Sequence, residues 1–469
     1  MKKKYIILLI VLLLVFITSG VYLISQDVSN KFSKRIKENT PYIVRQILGK
    51  TIFYVPLKIR EFNLNEGRVK ALKKKNLILK LKYLKYKNKT EIGLKNLKTI
   101  EGKKEKYFLQ SYILPFFVDE NIYDNDKKGY LDVINNKILI IFGSGKSILI
   151  DKDELNKGNF KFIELKNNIL NADFFDSKKK WTGIKDIKIH NNKVFLSLTK
   201  NISTDCYNTS IFVSEFDNNL LNFSDILQTD QCINSKSGMK AFPSFKNYTG
   251  YQAGGRIDVY KSQIYLTVGD FNKWENPQDD KSIFGKVIKV SKKKGKYTIV
   301  SKGHRNQQGM HILDSGKMIL TEHGPKGGDE INLIDIEKNI IKNFGWPIAS
   351  YGNHYDSVPL NRYIKKIAPL KKSHIKNNFE EPIKYFMEGI GISQIIKNFY
   401  LEGNSFFVTS LKNKKIYNII FDDNFKNPKI LEEIKIGERI RDIIYDKDEK
   451  KYYLYLEDSP KIMLLSNFS

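Results

Sequence analysis

The chain has 469 residues, 41% hydrophobic and 12% aromatic, so it can bury a large core and is too apolar for a disordered chain. Its formal net charge of +29 taken alone points to nucleic acid or an anionic surface. The excess is uneven: 23 Lys or Arg face 7 Asp or Glu between Asp27 and Lys106. Richness in Lys, Ile and Asn along the whole chain fits a compositional bias as well as a binding role.

In chain order, Lys2, Lys3 and Lys4 precede an uncharged stretch of 21 residues, Tyr5 to Ser25. About 20 apolar residues cross a bilayer as a helix, and the lysines would stay on the cytoplasmic side. Residues 1–26 therefore read as a transmembrane signal anchor. A cleaved signal peptide is the alternative, although its apolar region usually runs only about 7–15 residues. Either way the bulk of the protein is expected to be extracytoplasmic (periplasmic in a two-membrane cell), which argues against nucleic acid as a partner.

Residues 27–106 read as a basic, partly helical stalk or packing segment. Thr40-Pro41 resembles an N-cap followed by Pro at the first helical position, and Ile43, Val44, Ile47 and Leu48 then recur at helical spacing up to Gly49. Between Glu66 and Lys87, Val69, Leu72, Leu77, Leu81 and Leu84 fall near one helical face. Leu79, Leu81 and Tyr83 also alternate, so helix and strand both stay open there. The segment's cations either lie near anionic lipid headgroups or form a solvated face.

From residue 107 the texture changes to short apolar alternations separated by Gly, Asn and Asp. One pattern recurs six times, opening at Gly129, Gly183, Gly255, Gly309, Gly391 and Arg439. Each copy is a strand, a polar turn and a second, strongly apolar strand, followed by further strands such as Ser147–Ile150 or Lys415–Phe421. Six such units predict an all-β, six-bladed β-propeller over 107–469. A β-sandwich would not explain six copies. Two insertions lengthen the spacing, one carrying Cys206 and Cys232 and the other running from Ile348 to about Met387. In an oxidising compartment the two cysteines are a candidate disulfide, with free buried thiols as the alternative.

The densest cluster of polar residues lies between Gly303 and Pro347, reading GHRNQQGMHILDSGKMILTEHGPKGGDEINLIDIEKNIIKNFGWP. It sets His304, Arg305 and Asn306 at one end of a short strand pattern, and His323-Gly324-Pro325 with Gly327 to Glu330 at the other. This stretch closely resembles the signature of the glucose/sorbosone dehydrogenase family, the soluble PQQ-dependent sugar dehydrogenases. The resemblance extends over roughly the last three-quarters of the chain and is weak outside the motifs.

The resemblance implies a planar quinone with three carboxylates bound at the mouth of the propeller channel. It implies cofactor contacts from Arg305 and Asn306, from a hydroxyl near Ser393, from Lys412 over the quinone, and from Arg439 and Arg441. An Arg-x-Arg on a strand points both side chains to one face, which suits clamping a polyanion. It further implies calcium held by the carbonyls of Gly324 and Pro325, and a second, structural calcium at Glu330 with the carbonyl of Phe344. Oxygen-only ligands suit that metal.

One departure bears on the chemistry. The family places a His two residues before the Gly-Gly-Arg that opens the third repeat, as the base that takes the sugar hydroxyl proton. Here that position is Gln252, which cannot accept a proton at neutral pH. The supporting Asp is matched by Asp270, and a substrate-contacting Gln before the second repeat is replaced around Trp181. Asp270, His304 and His323 are candidate substitutes for the base. Two functions follow: a membrane-anchored sugar dehydrogenase passing electrons to an external acceptor, or a catalytically impaired propeller that binds a ligand or a protein.

Overall fold

The computed structural model describes residues 96–101 and 106–467, apart from short stretches at 115–126, 159, 177–181, 228, 235–249, 292–294, 357 and 359. Tyr5–Ser25, Thr40–Gly49, Glu66–Lys87 and Trp181 lie outside the described residues. Among the described residues no helix is long and apolar enough to cross a membrane.

Each of the six repeats becomes one twisted sheet. The first strands are Gly129–Ile134, Gly183–His190, Gly254–Tyr260, Gln307–Ile312, Ile392–Lys397 and Ile440–Asp446. Each packs on the next, and the sixth packs on the first, so they close a ring around a central axis. Every first strand pairs antiparallel with the second strand of its own repeat, and the remaining strands step outward. The result is a six-bladed propeller, here numbered blades 1 to 6 from the repeat at Gly129.

The core is divided accordingly. One blade has two apolar faces and cannot bury both alone. Six separate hydrophobic clusters therefore fill the gaps between neighbouring blades. Leu131, Ile140, Tyr453 and Tyr455 join blades 6 and 1, Ile141, Leu149, Ile187 and Leu196 join blades 1 and 2, and the pattern continues around the ring. Burying each large aliphatic side chain of this kind contributes about 1.5–3 kcal/mol.

Blade 6 extends the propeller beyond its expected boundary. The sixth repeat contributes the three strands Ile440–Asp446, Lys451–Leu456 and Lys461–Asn467, whose outer edge would be open by itself. Lys106–Ile113 covers that edge, pairing antiparallel with the C-terminal strand from Tyr107↔Asn467 to Ile113↔Lys461. Asn96–Glu101 pairs outside it in turn, so the sheet begins before position 107. The stretch from Ile348 to Met387 is likewise more than an insertion. It contains a short helix, Arg362–Ile367, and the strand Lys384–Phe386, which completes blade 4. Cys206 and Cys232 are disulfide-bonded, tying a long strand of blade 2 to the two-residue strand Ile233–Asn234 beside it.

Carboxylates on the first strands tie the blades together at the axis. Asp132 accepts from the Ile189 amide of blade 2 (2.6 Å), Asp186 from Ile257 of blade 3 (2.8 Å), Asp258 from Ile312 of blade 4 (2.8 Å) and Asp442 from Leu131 of blade 1 (3.1 Å). At the centre sits Arg256, 3% exposed. Its Nη1 donates to Asp186 of blade 2 (2.9 Å) and Asp442 of blade 6 (2.8 Å). Its Nη2 donates to the Arg441 carbonyl (2.9 Å) and its Nε to the Gln308 carbonyl (2.6 Å). The guanidinium also lies 5.3 Å from the ring centre of Tyr130 in blade 1.

Removing this cation leaves two carboxylates buried and uncompensated, which typically costs about 3–5 kcal/mol. Arg256→Met is expected to lower the unfolding free energy by that amount, read in urea titrations as a lower midpoint at unchanged slope. The triple change with Asp186→Asn and Asp442→Asn is expected to recover part of the loss.

Candidate active site

The mouth of the ring holds a cavity of about 530 Å³, lined from all six blades and the loops between them. A recurring backbone irregularity builds it. Five of the six first strands carry a β-bulge near their start, where the register with the second strand slips. A bulge inserts a residue with no partner opposite and re-aims its side chain. In blades 2, 4 and 6 the inserted residues are Lys185, Gln308 and Arg441, and all three line the cavity. In blade 5 the bulge holds Ser393 and Gln394 opposite Thr409. Ser393 is fully buried, and its hydroxyl donates to the Arg441 carbonyl (2.8 Å). It thus stands behind the cavity and props a residue that lines it.

Arg305, Asn306, Arg439 and Arg441, drawn from blades 4 and 6, converge on this cavity. Arg305 donates to the carbonyls of His323 (3.0 Å) and Gly324 (2.8 Å), and its guanidinium lies 5.4 Å from the ring centre of Trp346. The Asn306 carbonyl oxygen accepts from the Gly254 amide (3.3 Å) and from Gln308 (3.0 Å), fixing its orientation. Arg439 and Arg441 grip one carboxylate: Arg439 Nε reaches Glu457 Oε1 at 2.6 Å and Arg441 Nε reaches Oε2 at 2.7 Å. Burial alone would raise the Glu457 pKa, but Arg441 and Arg439 overcome it and hold the carboxyl at about 2. Lys412 does not line the cavity. It is exposed, and its ammonium donates to the Gly389 carbonyl (3.0 Å), while its neighbour Leu411 takes the wall position.

The residues at the proton-transfer end separate as well. Gln252 lines the cavity with a left-handed backbone (φ 60°), a conformation that costs energy and clusters at functional sites. Asp270 lies beneath the cavity, fully buried, accepting from the Trp346 indole (2.8 Å) and the Asn272 amide (2.8 Å). Burial pushes it up to about 7, although Arg305 draws it down. It positions Trp346 and the loop behind Arg305 and does not border the open volume. His304 is sealed away, held between Ser301 (2.8 Å) and Glu322 (2.8 Å), so it cannot reach a ligand. His323 does line the cavity, and its buried Nε2 has no hydrogen-bond partner among the described residues. Burial lowers its pKa, assisted by Arg305 and Arg441, so it stays neutral.

The two oxygen-ligand positions fare differently. The Gly324 carbonyl already accepts from Arg305, and the Pro325 carbonyl accepts from Tyr355 (3.2 Å). Each oxygen keeps a second lone pair, but the Arg305 guanidinium on the Gly324 carbonyl opposes a cation there. Glu330 borders a void of about 10 Å³ together with Phe344 and Glu322. Burial, followed by the charge of Glu322, pushes the Glu330 carboxyl well above its ordinary range. A small cation would favour the ionised form of Glu330 and take the place of its proton, so here the residues can fit one. Among the described residues, no group of three or more His, Cys, Asp or Glu side chains is gathered for a metal.

Several lining residues were not singled out from the sequence: Tyr130, Lys185, Tyr251, Gln308, Glu457 and Asp458. Lys185 and Arg441 occupy the same place in their repeats, just before the Asp that ties the blades. That shared place was the available signal, but only the bulge turns it toward the cavity.

The glucose / sorbosone dehydrogenase family signature matches residues 156–464. The chain belongs to that family. An aldose sugar dehydrogenase of Escherichia coli (YliI) is 30% identical over 242 residues, covering 46% of this chain and 61% of the relative. The chain thus matches less than two thirds of that relative's length. Among solved structures, the soluble aldose sugar dehydrogenase of E. coli in its apo form superposes with a TM-score of 0.57 at 20% identity, over 80% of this chain and 99% of that one. The PQQ-bound form of an aldose sugar dehydrogenase from Streptomyces coelicolor gives 0.52 at 15% identity, over 80% and 99%. At these identities the superpositions establish the shared propeller fold.

Glu457 has a folded pKa below its ordinary value of 4.5, so its contribution to stability is present above that value and is lost as pH falls from 4.5 toward about 2. Thermal midpoints measured across that window are expected to fall more steeply for the unaltered chain than for Glu457→Gln.

Proposed function

We propose that the cavity holds a planar, polyanionic quinone of the pyrroloquinoline quinone (PQQ) class and oxidises an aldose or related sugar. The convergence of Arg305, Arg439, Arg441 and Asn306 on one cavity of about 530 Å³ carries this reading. A triacid needs several cations fixed in advance, and guanidinium groups bind carboxylates with defined geometry. The reading is supported by the E. coli relative's name as an aldose sugar dehydrogenase and by the PQQ-bound Streptomyces structure.

When bound, the quinone would supply the hydride acceptor that no protein side chain provides. Arg305, Asn306, Arg439 and Arg441 would hold it, with Glu457 limiting the positive charge of the arginine pair and orienting both groups. Trp346 and Asp270 keep Arg305 in place from behind. Gln252 and Tyr251 would contact the sugar through hydrogen bonds, and the hydroxyl proton would leave through another lining group. A calcium ion at Glu330 and Phe344 would neutralise the buried Glu322–Glu330 charge and stiffen the turn that carries His323. Residues 1–26 would anchor the chain in a membrane with the propeller extracytoplasmic, a placement supported by the Cys206–Cys232 disulfide. Electrons would then pass to an external acceptor.

Titration of the full chain with PQQ and CaCl₂ is expected to quench tryptophan fluorescence at a one-to-one ratio, and the loaded protein to reduce an artificial dye with aldoses. Arg305→Ala and Arg441→Ala are each expected to weaken PQQ binding by about tenfold or more, the scale of a lost charge-assisted hydrogen bond. Absence of binding would remove the basis of the proposal. The anchor is tested separately by fractionation, where detergent but not high salt should release the protein from membranes.

A further inference from the structure

We propose that Lys185 accepts the substrate hydroxyl proton that Gln252 cannot, an assignment that rests on the dehydrogenase reading above. Lys185 is the inserted residue at the bulge of the first strand of blade 2, and it lines the cavity. Its Nζ donates to the Gly250 carbonyl at 3.3 Å, which places the amine against the loop of residues 250–254 that carries Gln252. The stem packs on the same loop's far end. A Cβ on Gly255 would lie 2.2 Å from the Lys185 Cβ, and the backbone there is left-handed (φ 107°), so only glycine lets the lysine pass. The amine therefore stands on the wall where the missing base is expected.

Its surroundings keep it a base. Lys185 is 8% exposed and makes no ion pair with a carboxylate among the described residues. The adjacent Asp186 is taken by Arg256. The charged groups that act on it are Lys128 ahead of blade 1 and Arg441 on blade 6, and Tyr130 on the first strand of blade 1 lines the same cavity. Burial first, and then the charges of Lys128 and Arg441, lower its pKa well below the ordinary lysine range. A lysine desolvated beside other cations gives up its proton more readily than a free one, as a proton acceptor must. His323, the other base in the cavity, sits on the turn whose carbonyls hold Arg305, on the side assigned to the cofactor.

The step balances as follows. The O–H proton of the anomeric carbon passes to Lys185 Nζ, the C–H electron pair leaves as hydride to an ortho-quinone acceptor, and the C=O bond forms to give the lactone. That hydride and one further proton would be taken up by a bound quinone, which balances the two-electron oxidation of the sugar. The Lys185 ammonium returns its proton to solvent.

Two measurements test this on the full chain. In the first, acylation of Lys185 by acetic anhydride is followed by peptide mass spectrometry against pH, without cofactor. The reactivity is expected to level off at a pH well below that of free lysine, whereas the profile of free lysine, with a pKa of about 10.4, overturns the assignment. In the second, the PQQ-loaded protein is assayed for dye reduction. Lys185→Met and Lys185→Arg are each expected to lower kcat by about 100-fold or more, the usual scale of general-base catalysis, with KM changed by less than about threefold. Arg is permanently charged and cannot accept the proton, so recovery of kcat in Lys185→Arg means a merely structural or electrostatic role and overturns the proposal. Should Lys185→Met not fold, Lys185→Arg and the acylation profile still decide. A PQQ-loaded chain that never turns over overturns the dehydrogenase reading and this assignment with it, whereas a free-lysine profile in a chain that does turn over overturns this assignment alone.

Discussion

Much of the molecule rests on one buried cation. Arg256, on blade 3, takes contacts from four of the other five blades, through Tyr130, Asp186, the Gln308 carbonyl, and Asp442 with the Arg441 carbonyl. A guanidinium suits this place because five donors in a fixed plane can meet partners from several directions at once. Taking such a charge out of water is costly unless every donor is satisfied, so the interaction is demanding about geometry. Small shifts of one blade would break it, and the ring is thereby held to one arrangement.

The same contact fixes the active-site floor. Two of the carbonyls that Arg256 holds belong to Gln308 and Arg441, and both side chains rise into the cavity. Ser393 supports the Arg441 carbonyl from blade 5. The cations meant for a ligand are therefore carried on backbone that is already pinned from below. Preorganised charge of this sort favours a ligand without reorganisation when it binds.

The bulges explain how a regular fold makes an irregular site. A strand with unbroken alternation places its side chains in the inter-blade gaps, where the six apolar clusters lie. One inserted residue per strand breaks the alternation only at the cavity end and leaves the rest of the strand in register. Lys185, Gln308 and Arg441 reach the open volume by this device, while Ser393, at the corresponding bulge of blade 5, is too short to do so. Chemistry can thus change from blade to blade at one position without disturbing the packing outside it.

Local pattern was sufficient for the repeat. Apolar alternation, turn residues and the return of one motif six times are short-range properties, and they marked every first and second strand of the ring. The Gly303–Pro347 signature likewise located Arg305 and Asn306 at the cavity. The closure of blade 6 by Lys106–Ile113 was not legible, because a strand's partner three hundred and more residues away leaves no trace in its own spacing. Nor was the fate of the individual polar groups. Lys412 and Arg441 are both cations in matching motifs, yet one faces solvent and the other the cavity. Asp270, His304 and His323 read alike as candidate bases, but only His323 borders open space. Composition and periodicity determined that six sheets would form and where their loops would fall. Which side chains meet in the centre was decided by the bulges, the Arg256 contacts and the burial of each group, which are properties of neighbours brought together only when the ring closes.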